Sequence, residues 1–321
     1  MATINRYAMP LFTLFVGLVL SAQNEVITWT YATSGFISER LDNSPAHRFS
    51  FELDHNLIWV EAEVDGVRGQ YILDTGAPTL LINDRGTIKE KEPIGFGSGG
   101  QVAIQHGRVR SFSFAGIEHG SQPTLNIDLR GMENRTKRDV SGLIGHEQLG
   151  KYELLIDYNK QEFSLYPHKE NPLHEQETPA LSIPFYYLDH LPVIVLYRGN
   201  RKLYFAIDTA AGYNILHTNP GRKQFINPQP TGHSMNIKGI DGKEQHRPIV
   251  AIDSLNFGER DVPRVQFVSC DLSHLQPEEG RPINGILGTP FLKQYRISIN
   301  FRKRRLYIWD EAPLLTLPQR R

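Results

Sequence analysis

Alternation of apolar and polar positions, rather than helical spacing, runs through most of the chain. Ile58 to Val64 alternates, breaks at Asp65-Gly66 and resumes through Tyr71, Ile72 and Leu73, which predicts a hairpin whose second strand ends at Asp74. Pro192 to Leu196 repeats the pattern, breaks near Gly199-Asn200 and returns through Tyr204 to Ile207, ending at Asp208. Asp74-Thr75-Gly76-Ala77 and Asp208-Thr209-Ala210-Ala211 therefore close equivalent strands 134 residues apart, and apolar residues resume at Leu80-Leu81-Ile82 and at Ile215-Leu216. Later, Gly142-Leu143-Ile144-Gly145 is answered by Gly285-Ile286-Leu287-Gly288 at an offset of 143. Leu149 and Tyr152 match Leu292 and Tyr295 in that register, at spacing suited to one face of a short helix. Two further hairpins are predicted, Leu154 to Tyr158 with Phe163 to Tyr166, and Ile297 to Phe301 with Leu306 to Trp309.

A period this long means two duplicated domains, not a solenoid of short repeats. The change of offset from 134 to 143 places about nine extra residues in the second copy, most easily in a loop. Between the landmarks, Gly95 to Gly100 precedes alternation at Val102 and Ile104, then Val109, Phe112 and Phe114, which predicts a hairpin with a glycine-rich tip. The second copy has Met235 to Ile237, Gly239 to Gly242 and Ile249 to Leu255 in its place. The expected organisation is a signal peptide over 1–22, an arm over 23–47, a first lobe over 48–170, a linker over 171–184 and a second lobe over 185–316. The linker is placed in the stretch from Pro167 to Pro184, which is rich in Pro, Glu and His.

Composition narrows the function. Lys plus Arg equal Asp plus Glu at 35 each, so no net field draws the chain to nucleic acid or an anionic membrane. The apolar run from Pro10 to Leu20 is shorter than the 20 or so residues that span a bilayer. With Arg6 before it and Ser21-Ala22 after it, the run reads as a signal peptide cleaved near Ala22, which makes the protein exported, to the periplasm or outside the cell, without a stable membrane anchor. Cys270 is the only cysteine, so no intrachain disulfide forms and the lobes depend on their own cores.

An aspartate at the end of an apolar strand, followed by a tight turn, is fixed by the strand and exposed by the turn, as a catalytic carboxylate needs. Two such sites at equivalent places in a duplication point to one shared centre. The residues Tyr71 to Ala77, Ala206 to Ala211 and the two glycine-flanked apolar elements resemble the pepsin and retropepsin superfamily of aspartic peptidases, in particular exported bacterial members with two lobes, over residues 49 to 310. The resemblance implies a mainly β fold of two retropepsin-like barrel lobes with a short helix in each. It implies Asp74 and Asp208 as the catalytic pair, and loop support from Thr75, Gly76 and Ala77 and from Thr209, Ala210 and Ala211, the threonines bonding across the lobe boundary. Gly145 and Gly288 would close the loops behind the aspartates, and Gly97, Ser98, Gly99 and Gly100 would form the tip of a flap. It further implies a monomer acting on peptide or protein substrates with neither metal nor cofactor. Ala210 departs from the family pattern, where glycine is usual, and Ala77 and Ala211 stand where pepsin-like members carry a hydroxyl residue that lowers the pKa of the pair. An inactive peptide-binding scaffold of the same fold is the alternative reading, favoured by Ala210.

Other motifs carry less. Gly95-x-Gly97-x-x-Gly100 has the spacing of a dinucleotide fingerprint but is followed by alternation rather than a helix. Gly97-Ser98-Gly99 lacks the leading glycine of a nucleophile elbow. The 12 histidines show no metal-ligand spacing, and His146 is expected on the surface at the start of a helix.

Overall fold

The computed structural model describes residues 12–14, 18–20, 48–87, 93–97, 100–168, 171–218, 226–238, 244–257, 260–276 and 281–309. The fold is mainly β and bilobal, as the alternation predicts. In the first lobe Leu57–Val64 pairs antiparallel with Val67–Leu73 through a two-residue turn. Asp65 and Gly66 both adopt positive φ, 51° and 83°, which matches the turn to the right-handed twist of the strands. In the second lobe Leu191–Arg198 and Arg201–Ile207 do the same.

Behind each hairpin the chain threads back through its own sheet. Gly142–Ile144 runs parallel to Val67–Leu73 and antiparallel to Leu81–Asn83, lying between them. Gly285–Leu287 lies in the same way between Arg201–Ile207 and Ile215–His217. The next strands outward are Gln122–Ile127 and Val265–Cys270, each parallel to its inner neighbour, and beyond them lie the hairpins Pro93–Gly97 with Gly100–Val109 and Gln229–Lys238 with Glu244–Ile252. The two sheets therefore share one strand order, the topological form of the repeat. The extra residues of the second copy fall within this outer hairpin region rather than in a simple loop, because the 143-residue register already holds at Val109 and Ile252. The first arm there has 10 residues against 5 in the first lobe.

Alternation delivers each hairpin to two cores. Ile58, Val60, Leu73, Ile194, Leu196 and Ile207 lie in one apolar cluster that runs through both lobes. Their neighbours divide by lobe, Leu57, Trp59 and Ile72 into one smaller cluster and Leu191, Val193 and Ala206 into another. Both faces are covered, which is why these strands read as nearly continuous apolar runs close to the aspartates.

Helix is sparse. His146–Leu149 and Thr289–Leu292 follow the glycine-flanked strands where the spacing places them. Arg130–Thr136 was not expected; with Met132 and Thr136 as its buried residues it leaves too short an apolar stripe to see in sequence. The stretch expected as a linker holds a further turn of helix, Leu173–Gln176, and from Leu181 is already strand, because Leu181–Leu188 pairs first with Arg305–Ile308 and then with Leu191–Arg198. Among the described residues no helix is long and apolar enough to cross a membrane.

The lobes are joined by a six-stranded segment ordered Leu181–Leu188, Arg305–Ile308, Ile297–Asn300, Tyr152–Asp157, Glu162–Pro167, Arg48–Ser50. At its centre Leu155 pairs with Ser298, its own counterpart at the 143-residue offset, so the pseudo-two-fold axis of the duplication passes there. Two pairs away the fully buried Glu153 breaks the symmetry. Its carboxylate accepts hydrogen bonds from Ser298 Oγ (2.7 Å), Asn300 Nδ2 (2.7 Å) and His174 Nε2 (2.9 Å), tying the first lobe to the second and to the connecting segment. Trp309 Nε1 donates to Ser298 Oγ at 2.9 Å and extends the network. Deleting the carboxylate strands two buried donors, Ser298 and Asn300, which lose their partner without regaining water, and frees the half-buried His174. We expect Glu153→Ala to lower stability by about 3 kcal/mol or more in urea unfolding, and Glu153→Gln by less. A loss below about 1 kcal/mol for the alanine variant would show that the network does not join the lobes.

Candidate active site

Each aspartate sits one residue beyond the end of its strand, and its own N–H donates to the strand beside it: Asp74 N to Ile144 O (3.0 Å) and Asp208 N to Leu287 O (3.2 Å). The following loops then cross the lobe boundary and lock together. Thr75 N donates to Thr209 Oγ1 (3.0 Å) and Thr209 N to Thr75 Oγ1 (3.1 Å). Each hydroxyl passes its own proton to the strand end of the opposite lobe, Thr75 Oγ1 to Ile207 O (3.3 Å) and Thr209 Oγ1 to Leu73 O (2.8 Å). A hydroxyl that accepts and donates at once is required here; serine would lack the methyl, and valine both bonds.

Glycine is needed where backbones meet. A Cβ at Gly145 would run into the carbonyls of Ala77 and Thr79, and one at Gly288 into those of Ala211 and Tyr213. The short helices begin at these points, with His146 N donating to Ala77 O (2.8 Å) and Thr289 N to Ala211 O (2.9 Å), so each aspartate loop is held from behind. Thr289 Oγ1 adds a bond to Thr209 O (2.9 Å). Gly76 meets the opposite lobe, since a Cβ there would lie 2.7 Å from Asp208 Cγ. Its counterpart Ala210 does carry a methyl, fully buried in the first lobe's smaller apolar cluster with Trp59, Ile72 and Ala77, so the departure from glycine is accommodated as packing.

The two carboxyls are fully buried. In each, Oδ1 accepts from the backbone N–H two residues on, Gly76 N to Asp74 and Ala210 N to Asp208, both at 2.8 Å. In each, Oδ2 has no donor among the described residues, and the two carboxyls are near enough to perturb one another's ionisation. Burial raises the pKa of both. For Asp74 the negative charge of Asp208 adds to it, and for Asp208 the N–H groups of Ala210 and Ala211 and the bond from Asp74 pull partly back, leaving it at about 6. Two carboxylates so placed cannot both ionise cheaply, and the pair keeps one shared proton, a behaviour for which aspartic proteases are the standard illustration.

Of the expected flap, Gly97 and Gly100 pair at the end of their hairpin, while Ser98 and Gly99 lie outside the described residues. The hairpin's other described pairings are with Gln122–Ile127 and with Leu18–Leu20, not with either aspartate loop. The same strands account for the dinucleotide-like glycine spacing, since no helix follows it.

His146 is half-buried rather than fully on the surface. It packs edge-on against Tyr187 (5.3 Å) and Phe301 (5.2 Å) of the second lobe, and burial first, then the nearby His190, pull its pKa down to about 4. Position alone hid this, because a residue at the start of a helix is normally solvated. Sequence reading also passed over His190, buried in the turn before Leu191–Arg198, whose Nε2 donates to Gly76 O at 2.6 Å. Its counterpart at the 134-residue offset, Asn56, donates through Nδ2 to Gly212 O at 3.0 Å.

A carboxyl whose folded pKa is raised holds its proton more tightly in the folded chain, so its contribution to stability is full below the unfolded value of 3.8 and is lost as pH rises through about 6. For Asp208 alone that loss is on the order of 3 kcal/mol. Wild type should therefore lose stability between pH 4 and 8 relative to the double variant Asp74→Asn, Asp208→Asn, measured by urea unfolding at each pH. Parallel curves for the two proteins would contradict the raised pair. No known protein-family profile matches the chain, and no curated protein matches it significantly, so the reading of this site rests on its own geometry.

Proposed function

We propose that the protein is an aspartic endopeptidase in which one chain supplies both halves of the catalytic site. The observation that carries the proposal is the pair of buried carboxyls, one from each repeat, each with Oδ1 held by a backbone N–H and Oδ2 without a donor among the described residues. Such a pair can hold a water molecule between its free oxygens. With one shared proton, the ionised carboxyl takes a proton from that water as its oxygen attacks the peptide carbonyl carbon. The protonated partner donates to the carbonyl oxygen as charge develops there. Collapse of the tetrahedral species breaks the C–N bond, and the proton taken from water passes to the leaving nitrogen. An extended peptide suits a site framed by strands, because its backbone can pair with their edges. Neither carboxyl has exposed surface in this structure, so entry of a peptide requires the chain that covers them to move aside.

Export to the periplasm or beyond, after removal of a leader near Ala22, belongs to the same proposal and rests on the sequence alone. The alternative of a peptide-binding protein with impaired chemistry rested on Ala210, and the buried packing of its methyl weakens that support.

Purified wild type should cleave an unbiased peptide library, and Asp74→Asn and Asp208→Asn should each reduce cleavage by at least about a thousandfold while remaining folded. With both pKa values raised by burial and no hydroxyl donor at Ala77 or Ala211, kcat/KM should follow a bell with its optimum between mildly acidic and neutral pH. Full activity in either variant, or an optimum near pH 2, would overturn the proposal.

A further inference from the structure

We infer that His190 is a positioning residue for the aspartate pair, reaching across the lobe boundary to hold and polarise the peptide between Gly76 and Ala77, whose N–H faces Asp74. The inference deepens the proposed peptidase reading and rests on it for its role in catalysis. The geometry is specific. His190 is 6% exposed, and its Nε2 lies 2.6 Å from Gly76 O. A carbonyl oxygen can only accept, so Nε2 carries the proton in this contact and the tautomer is fixed by the partner. The peptide that accepts this bond ends in the Ala77 N–H, which lies 3.3 Å from Asp74 O and also stabilises the ionised Asp74 carboxyl.

Bonds arranged in this order reinforce one another. A donor on a carbonyl oxygen draws electron density from the amide nitrogen, and the N–H on that nitrogen becomes a stronger donor in turn. His190 therefore acts on Asp74 through a single peptide unit. The same contact fixes Gly76, whose preceding N–H binds Asp74 Oδ1 and whose Cα rests against the Asp208 carboxyl with no room for a methyl. One imidazole thus sets the placement of the backbone that touches both carboxyls.

The duplication supplies its own control. Asn56 occupies the equivalent turn, and its side chain also bonds across the lobe boundary, but to Gly212 O. That peptide ends in the N–H of Tyr213, whereas Asp208 is served by the N–H groups of Ala210 and Ala211. The polarising arrangement is thus built on the Asp74 side, by a residue of the other lobe, and it makes two chemically identical carboxyls inequivalent before any substrate is bound.

The test is a carboxyl titration by NMR of protein labelled with 13C at aspartate, comparing wild type, His190→Met, His190→Gln and Asn56→Leu. Methionine fills the space without a donor; glutamine restores a donor at similar reach. Cooperative strengthening is roughly 10–30% per bond, so His190→Met should raise the apparent pKa values of the pair by about 0.3 units. His190→Gln should return most of that shift, and Asn56→Leu should leave the pair in place although it too removes a bond between the lobes. No shift in His190→Met, or an equal shift in Asn56→Leu, would overturn the inference and reduce His190 to a packing residue. If His190→Met does not fold, His190→Leu serves the same comparison. The readout needs no substrate, so a chain that cleaves nothing would defeat the peptidase reading while leaving this result standing or falling on its own.

Discussion

Four hydrogen bonds between Thr75, Thr209 and the strand ends behind them hold the two halves of the site in register. Each threonine contributes its N–H and its hydroxyl, and each bond crosses from one repeat to the other, so neither loop can take this form without its partner. From that constraint the rest follows. The strands must end one residue before each aspartate, the returning strands must thread behind them, and the glycines at 145 and 288 must leave space for the loop carbonyls. Two carboxyls are then forced together out of water, and the raised pKa values are the electrostatic consequence of that placement.

The lobes are held at a second place, far along the chain from the aspartates. Leu155 and Ser298 pair on the pseudo-two-fold axis, and Glu153 draws donors from the second lobe and from the connecting helix onto one carboxylate. This network is asymmetric, as are the contacts of His190 and Asn56, and as is the substitution of Ala210 for the glycine at 76. The duplication therefore supplies the frame, and departures from it differentiate the halves.

The frame was legible in the sequence because it rests on local patterns. Apolar alternation, paired turns and the spacing of Gly142 to Gly145 against Gly285 to Gly288 are set by strand geometry, which has a short period. Asp74, Asp208 and their threonines stood out because they recur at one offset. What was not legible depends on contacts between residues distant in sequence. Glu153 looks like a solvated charge in an alternating strand until Ser298 and Asn300 are placed opposite it, and His190 looks like a turn residue until the opposite lobe brings Gly76 O within 2.6 Å. His146 was misjudged for the same reason, since Tyr187 and Phe301 cover it from the second lobe. The helix Arg130–Thr136 escaped because two buried residues do not make a periodic signal.

The central claim is that the fold compels Asp74 and Asp208 to share one proton. Neutron diffraction from a deuterated crystal grown near pH 5 would locate that proton directly. The account requires a single deuterium on the pair, shared between the two carboxyls or carried by one of them, with each Oδ1 still bound to its backbone amide. A deuterium on each carboxyl, or none on either, would contradict it.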